Sequence, residues 1–209
     1  MPTTSASPSC LFAFLLMMSL PAAAQEDALF AAGLDEWQVL GGEASSFAFE
    51  GDTLSVSGSD GWLRSPRTYG DFELSGQVRF VEPDADSGIF LRVVPGTDFI
   101  RGWPGNAYQV QMRDISRNTS DRPLPLLQLY RHQVPDGNTT YAREQVLALY
   151  GGVGEWQHFR IRAQGNHLQV WLNDELVTEA EDLANATGYL GFQSETGTVQ
   201  YRALRLREE

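Results

Sequence analysis

Asp71-Phe72-Glu73-Leu74-Ser75-Gly76-Gln77-Val78-Arg79-Phe80 alternates without a break. Phe72, Leu74, Val78 and Phe80 point one way, and Glu73, Ser75, Gln77 and Arg79 the other. A period of two marks a strand with one face on a core and one in water. The pattern recurs at residues 87–94, 107–113 and 126–131. Residues 156–163 and 167–172 carry it on both sides of Gln164-Gly165-Asn166, a tight-turn signal. Asn173-Asp174 turns the chain into 175–179, and 188–193 and 198–207 complete the set. Helical periodicity is nearly absent. Roughly a dozen short strands with Gly, Pro and Asn punctuation predict an all-β jelly-roll sandwich of two antiparallel sheets. Residues 95–106, 117–125 and 135–143 are the least regular, and such loops on a rigid sandwich commonly carry binding groups.

The first two dozen residues read differently. Residues 11–20 form an uncharged apolar run, followed by Pro21-Ala22-Ala23-Ala24 and Gln25. An apolar core ending in small residues predicts a secretory signal over residues 1–24, cut after Ala24. The run is too short to span about 30 Å of hydrocarbon. Cys10 precedes the run and so does not fit a lipid-modified cysteine. The expectation is a periplasmic or secreted protein whose residues 25–209 form a single domain without cysteine. That length suits one domain with a sizeable core.

The net charge of −12 falls wholly outside the leader. An acidic surface repels phosphate backbones and anionic lipid, which excludes nucleic acid and, once the signal is removed, membrane as partners. All fifteen basic residues are arginine, a bias that a GC-rich genome explains as well as chemistry does. Oligomeric state is not legible.

Several segments, in order, resemble the 3-keto-disaccharide hydrolase domain family, whose fold is similar to the concanavalin-like lectins and glucanases. They are Gly61-Trp62-Leu63, Tyr69-Gly70-Asp71-Phe72-Glu73-Leu74 and Ser87-Gly88-Ile89-Phe90-Leu91-Arg92. Tyr108-Gln109-Val110-Gln111-Met112-Arg113-Asp114, Gly154-Glu155-Trp156 and residues 166–173 follow. Gly188-Tyr189-Leu190-Gly191-Phe192-Gln193 and residues 199–206 complete the match over nearly all of the chain past the leader. There are two departures. Gln109 stands where the family usually has Glu, and Glu195 lies near a position where it often has His.

The resemblance implies a carbohydrate ligand and cleavage of glycosides whose C3 hydroxyl has been oxidised to a ketone. That ketone acidifies the C2 proton, so a base can form an enolate that expels the group at C1. Such a site needs a base near C2, a cation or hydrogen-bond donor at the C3 oxygen and an acid at the leaving group. It does not need the paired carboxylates of an ordinary glycosidase, and the closely spaced acidic strand motif of the glucanases is missing. The alternative is a non-catalytic sugar-binding module, which the replacement of an acid by Gln109 favours. No cofactor is required, and a divalent metal is left open.

The catalytic candidates are Arg92, to steady an enolate oxygen, Asp114 and Glu195, as bases or metal ligands, and Glu73, on the polar side of its strand. Each has a plain alternative as a solvated or ion-paired surface residue. Gln109 and Gln111 share a strand face, where paired amides suit sugar hydroxyls that both donate and accept. Gln193 and Tyr108 join them as substrate-binding candidates. Trp103, in an irregular loop, either stacks on a sugar or caps the core. Trp62, Trp156 and Trp171 fall in strand patterns and are expected in the core. His132, His158 and His167 lack metal-ligand spacing and read as structural or solvated. Asp84 and Asp86 read as a solvated turn rather than a calcium loop, whose glycine and final carboxylate are missing. The sequons at Asn118, Asn138 and Asn185 are read as chance.

Overall fold

The computed structural model of the protein describes Met1, residues 27–96, the backbone of residues 99–100, and residues 102–209. The expected leader lies outside the described residues. In chain order the first strands are β1 (Asp27–Ala28), β2 (Gln38–Leu40), β3 (Phe47–Glu50), β4 (Thr53–Ser57), β5 (Gly61–Tyr69) and β6 (Phe72–Phe80). Then come β7 (Asp86–Val93), β8 (Phe99–Ile100), β9 (Trp103–Pro104), β10 (Ala107–Arg113), β11 (Leu129–His132) and β12 (Thr139–Tyr141). The one α-helix among the described residues, α1 (Arg143–Leu149), leads to β13 (Gln157–Gln164), β14 (His167–Leu172), β15 (Glu175–Ala180), β16 (Gly188–Thr196) and β17 (Thr198–Glu208).

Among the described residues these strands build two large antiparallel sheets. The nine-stranded sheet runs β12-β15-β14-β13-β6-β17-β4-β3, with β1 also paired to β17. The six-stranded sheet runs β11-β10-β7-β16-β5-β2. This is the all-β sandwich that the alternation predicts. Phe72, Leu74, Val78 and Phe80 of β6 are fully buried, with Phe159, Ile161 and Tyr201 from the same sheet. They share one continuous core with Ile89, Leu91, Val110, Met112 and Phe192 of the other sheet. The Tyr201 hydroxyl spans the core, 2.8 Å from the Ser87 hydroxyl, which itself donates to the Gln193 carbonyl at 2.6 Å. That buried polar link ties the two sheets near the start of β7.

Several local features depart from the reading of the sequence. Residues 126–128 are irregular, because Leu127 is left-handed (φ +60°), and the strand starts only at Leu129. Helix α1 was not legible, since Val146 is its single buried residue and leaves no apolar stripe. Trp62 is buried as expected, but on the outer face of the six-stranded sheet rather than between the sheets. Trp156 and Trp171 are half-buried on the outer face of the nine-stranded sheet. There the guanidiniums of Arg79 and Arg202 lie over Trp156 at 4.5 and 4.1 Å, and Arg160 lies over Trp171 at 3.8 Å. Arginine stacking shields an indole on a solvated face as well as a core would.

Candidate functional site

On the six-stranded sheet, the side chains facing away from the core form a polar group in which almost nothing is exposed. Cross-strand register assembles it. Gly88 of β7 lies opposite Gln111 of β10 on one side and Gln193 of β16 on the other. Gln109 lies opposite Phe90 and Tyr130, Arg113 opposite Asp86, and Ala107 opposite His132. Directly opposed residues share a sheet face, so all of these groups project together. Gly88 is needed where it is, because a Cβ there would stand 2.3 Å from Nε2 of Gln109. The missing side chain lets the Gln109 amide lie across β7 and reach both neighbouring strands.

The resulting network is continuous. Gln109 Nε2 donates to Oε1 of Gln111 at 2.8 Å and to Oε1 of Gln193 at 2.7 Å. Gln111 Nε2 donates to Asp86, and Gln193 Nε2 donates to Glu195 at 3.1 Å. His132 Nε2 lies 2.6 Å from Oε1 of Gln109. Arg113 pairs with the other oxygen of Asp86 at 2.8 Å. Gln109, Gln111, Gln193 and Asp86 are 3, 6, 1 and 5% exposed, so their hydrogen bonds are to one another rather than to bulk water.

Burial, reinforced by the nearby charge of Glu195 and only partly offset by Arg113, pushes the Asp86 carboxyl up to about 7. Burial holds the His132 imidazole below its ordinary value and so neutral near pH 7. Burial, then the charge of Asp86, raises the Tyr130 phenol, which is nonetheless 37% exposed at the edge of the group. The same sheet face becomes apolar beyond Gln109. Trp62, Phe90, Val93 and Ala107 form a second hydrophobic cluster, against which Trp103, Leu40 and Tyr189 pack. Phe90 bridges the halves, meeting His132 at 5.9 Å and Trp62 at 5.7 Å between ring centroids.

Of the residues singled out from sequence, Gln109, Gln111, Gln193 and Glu195 are brought together here. Trp103 stands beside them, half-buried, with its indole N–H 3.5 Å from the Ser194 carbonyl. Four others are placed elsewhere. Arg92 is left-handed (φ +48°) at a bulge in β7, which turns its side chain out of the ladder. It donates to the carbonyls of Gly70, Gly165 and Asn185 and pairs with Asp71 at 3.0 Å. With 1% exposure it is a structural clamp between loops and not a group for an enolate.

Asp114 is buried between loops. It accepts the backbone N–H groups of Asp84 and Ser116 and the hydroxyls of Ser116 and Tyr150. Burial would raise its pKa, but those donors outweigh it and hold the carboxyl below the ordinary range, which suits a tether and not a base. Glu73 lies on the outer face of the opposite sheet, paired with Arg160 at 3.3 Å and Arg207 at 3.6 Å. Tyr108 points into the core, where its hydroxyl accepts the N–H of Ala184 at 2.7 Å.

Asp86, Arg113, Tyr130 and His132 were not among the sequence candidates. Asp86 read as part of a turn and His132 as structural. Arg113 shares the alternation phase of Gln109 and Gln111, which was the available signal. Among the described residues no group of three or more His, Cys, Asp or Glu could hold a metal ion. A cavity of about 360 Å³ at β1 is lined by Asp27, Tyr69 and the Arg67–Glu208 ion pair, but it gathers no comparable set of proton-transfer groups.

The fold is shared with known structures at low identity. A Parabacteroides distasonis protein named as a candidate glycosyl hydrolase superposes with a TM-score of 0.65 at 18% identity, over 88% of this chain and 100% of its own. A Bacillus subtilis carbohydrate-binding module gives 0.54 at 14% identity, over 82 and 95%. Bacillus licheniformis β-glucanase gives 0.54 at 10% identity, over 91 and 100%. No curated protein matches the chain. Residues 27–207 match the 3-keto-alpha-glucoside-1,2-lyase-like domain. With that match running from β1 through β17, the chain belongs to the 3-keto-alpha-glucoside-1,2-lyase-like family.

Proposed function

We propose that this protein, once exported, cleaves 3-keto-α-glucosides by elimination across C1 and C2, using the outer face of the six-stranded sheet. The observation that carries the reading is Asp86. It is a buried carboxyl raised to about 7, beside Glu195 and Arg113 and among three amides. A base with a pKa near the working pH is ionised often enough to act and basic enough to take a proton.

Asp86 removes the proton from C2, and the C–H electron pair forms the C2–C3 enolate. Gln111 and Gln193 each spend one amide N–H on a carboxylate and keep a second for the C3 oxygen as it gains charge. The enolate then collapses to a C1–C2 double bond as the C1–O bond breaks. The leaving oxygen takes a proton from Tyr130, whose raised pKa keeps its phenol protonated. The products are a 2-hydroxy-3-keto glycal and the free alcohol, and addition of water to the glycal completes a hydrolysis. The proton on Asp86 passes through water to the Tyr130 phenolate, which restores both groups.

Release of glucose from 3-keto-trehalose by the purified protein tests the reading, with Asp86→Asn as its control. Turnover that Asp86→Asn abolishes, with solvent deuterium at C2 of the hydrated product, supports elimination. Hydrolysis without deuterium at C2 removes the enolate. Repeating the assay with a chelator assigns a divalent metal if activity is lost. Three amides on one face beside an aromatic cluster also suit sugar capture alone. Saturable binding without release of glucose moves the protein to that class.

A further inference from the structure

The amide network has a direction, and its two ends set it. A carboxylate can only accept hydrogen bonds. Gln193 therefore turns its amide N–H to Glu195, and Gln111 turns its own to Asp86 in the ionised form that acts as the base. Each then presents Oε1 to Gln109, whose single NH2 group serves both with its two hydrogens. Only Oε1 of Gln109 remains, 2.6 Å from Nε2 of His132. Two acceptors cannot share that separation, so the imidazole proton sits on Nε2.

We infer that Gln109 is a positioning residue of the proposed site: it fixes His132 as the neutral Nε2–H tautomer and aims Gln111 and Gln193 at the two carboxylates. A glutamate at this position would undo the arrangement. It has no donor, so Gln111 and Gln193 would either set Oε1 against a third carboxylate or flip and set Oε1 against Asp86 and Glu195. The carboxylate would still accept the Nε2–H of His132, and its negative charge would favour a second proton on that ring, making the imidazole a cation. Among these neighbours an amide serves all three partners at once, which a carboxylate does not. The inference rests on the proposed function only where it concerns turnover, since the tautomer is a property of the protein alone.

The titratable groups facing Asp86 are Arg113 on β10, Tyr130 on β11, Glu195 on β16 and, from the opposite sheet, Tyr201 on β17. His132 meets Gln109 and Phe90. Ring nitrogen-15 NMR of the full chain labelled at histidine reads the inference directly, because only three histidines are present and His132→Gln assigns the signal. The expected wild-type spectrum is the neutral Nε2–H form at pH 7. In Gln109→Glu the same ring should be protonated at pH 7. With 3-keto-trehalose, Gln109→Glu should lower kcat about tenfold or more and move the acid limb of its pH profile upward, since Asp86 loses a donor.

An Nδ1–H tautomer in the wild type overturns the inference, as does a Gln109→Glu protein with equal or higher kcat and an unmoved profile. If Gln109→Glu does not fold, the wild-type spectrum decides alone. If no 3-keto-glucoside is turned over by the wild type, the proposed function falls while the spectrum still decides the role of Gln109.

Discussion

The outer faces of the two sheets are built from the same alternation and have opposite fates. On the nine-stranded sheet the outward residues are Glu73, Arg79, Arg160, Arg202 and Arg207, spread over stacked indoles and joined by ion pairs of 3.3 to 3.6 Å that reach solvent. On the six-stranded sheet the outward polar residues include three amides and Asp86, buried and hydrogen-bonded to one another, beside an apolar cluster on the same face. Solvent screens the first set, so each pair contributes little. The second set lies in a low-dielectric layer, where each hydrogen bond has direction and each charge a shifted pKa.

The sharpest way to break this contrast is to neutralise one acid on each face. Asp86→Asn should lower turnover of a 3-keto-α-glucoside by roughly 10³-fold, within the usual range for a general base. Glu73→Gln should leave turnover within about twofold, in keeping with a partly solvated ion pair. Equal losses would place Glu73 in the chemistry.

Stability against pH is the next test. Below about pH 4 both folded and unfolded chains keep the Asp86 proton. Between there and pH 7 the unfolded chain releases it while the folded chain holds it, so this residue makes the fold less stable as pH rises. The stability difference between wild type and Asp86→Asn should change by roughly 4 kcal/mol across that interval and then level off. A flat difference would mean that Asp86 is ionised at its usual pH.

Arg92→Met should cost about 3 kcal/mol or more in denaturant unfolding, because three loop carbonyls lose a charged donor. Its kcat per folded molecule should stay near that of the wild type. Gly88→Ala should move the Gln109 amide, lowering turnover about tenfold for a stability loss of about 1–2 kcal/mol. The smallest effect is expected for Arg160→Ala, which should change unfolding free energy by less than about 1 kcal/mol, since its stack and ion pair are partly solvated.

The sandwich was legible because alternation states which residues of a strand face the core. Gln109 and Gln111 were legible as a pair on the same ground. Alternation does not state which strands are neighbours, and register is what brings His132 and Glu195 to that pair. Asp86 was hidden by Glu82-Pro83-Asp84-Ala85 before it, which reads as a turn although the strand begins at Asp86 itself. Arg92 misled because its strand pattern continues through a bulge, and a left-handed arginine has no signature in sequence. The two departures noted in the sequence, Gln109 and Glu195, turn out to lie two hydrogen bonds apart, through Gln193.

The last strand of the domain, β17, pairs with β6, β4 and β1 in the middle of the larger sheet. A chain delivered amino end first therefore offers every other strand of that sheet before the one that joins its two halves. Loop closure across this distance comes late and makes folding slow. A ribosome releasing this polypeptide would hold an unfinished larger sheet until nearly the whole domain had emerged.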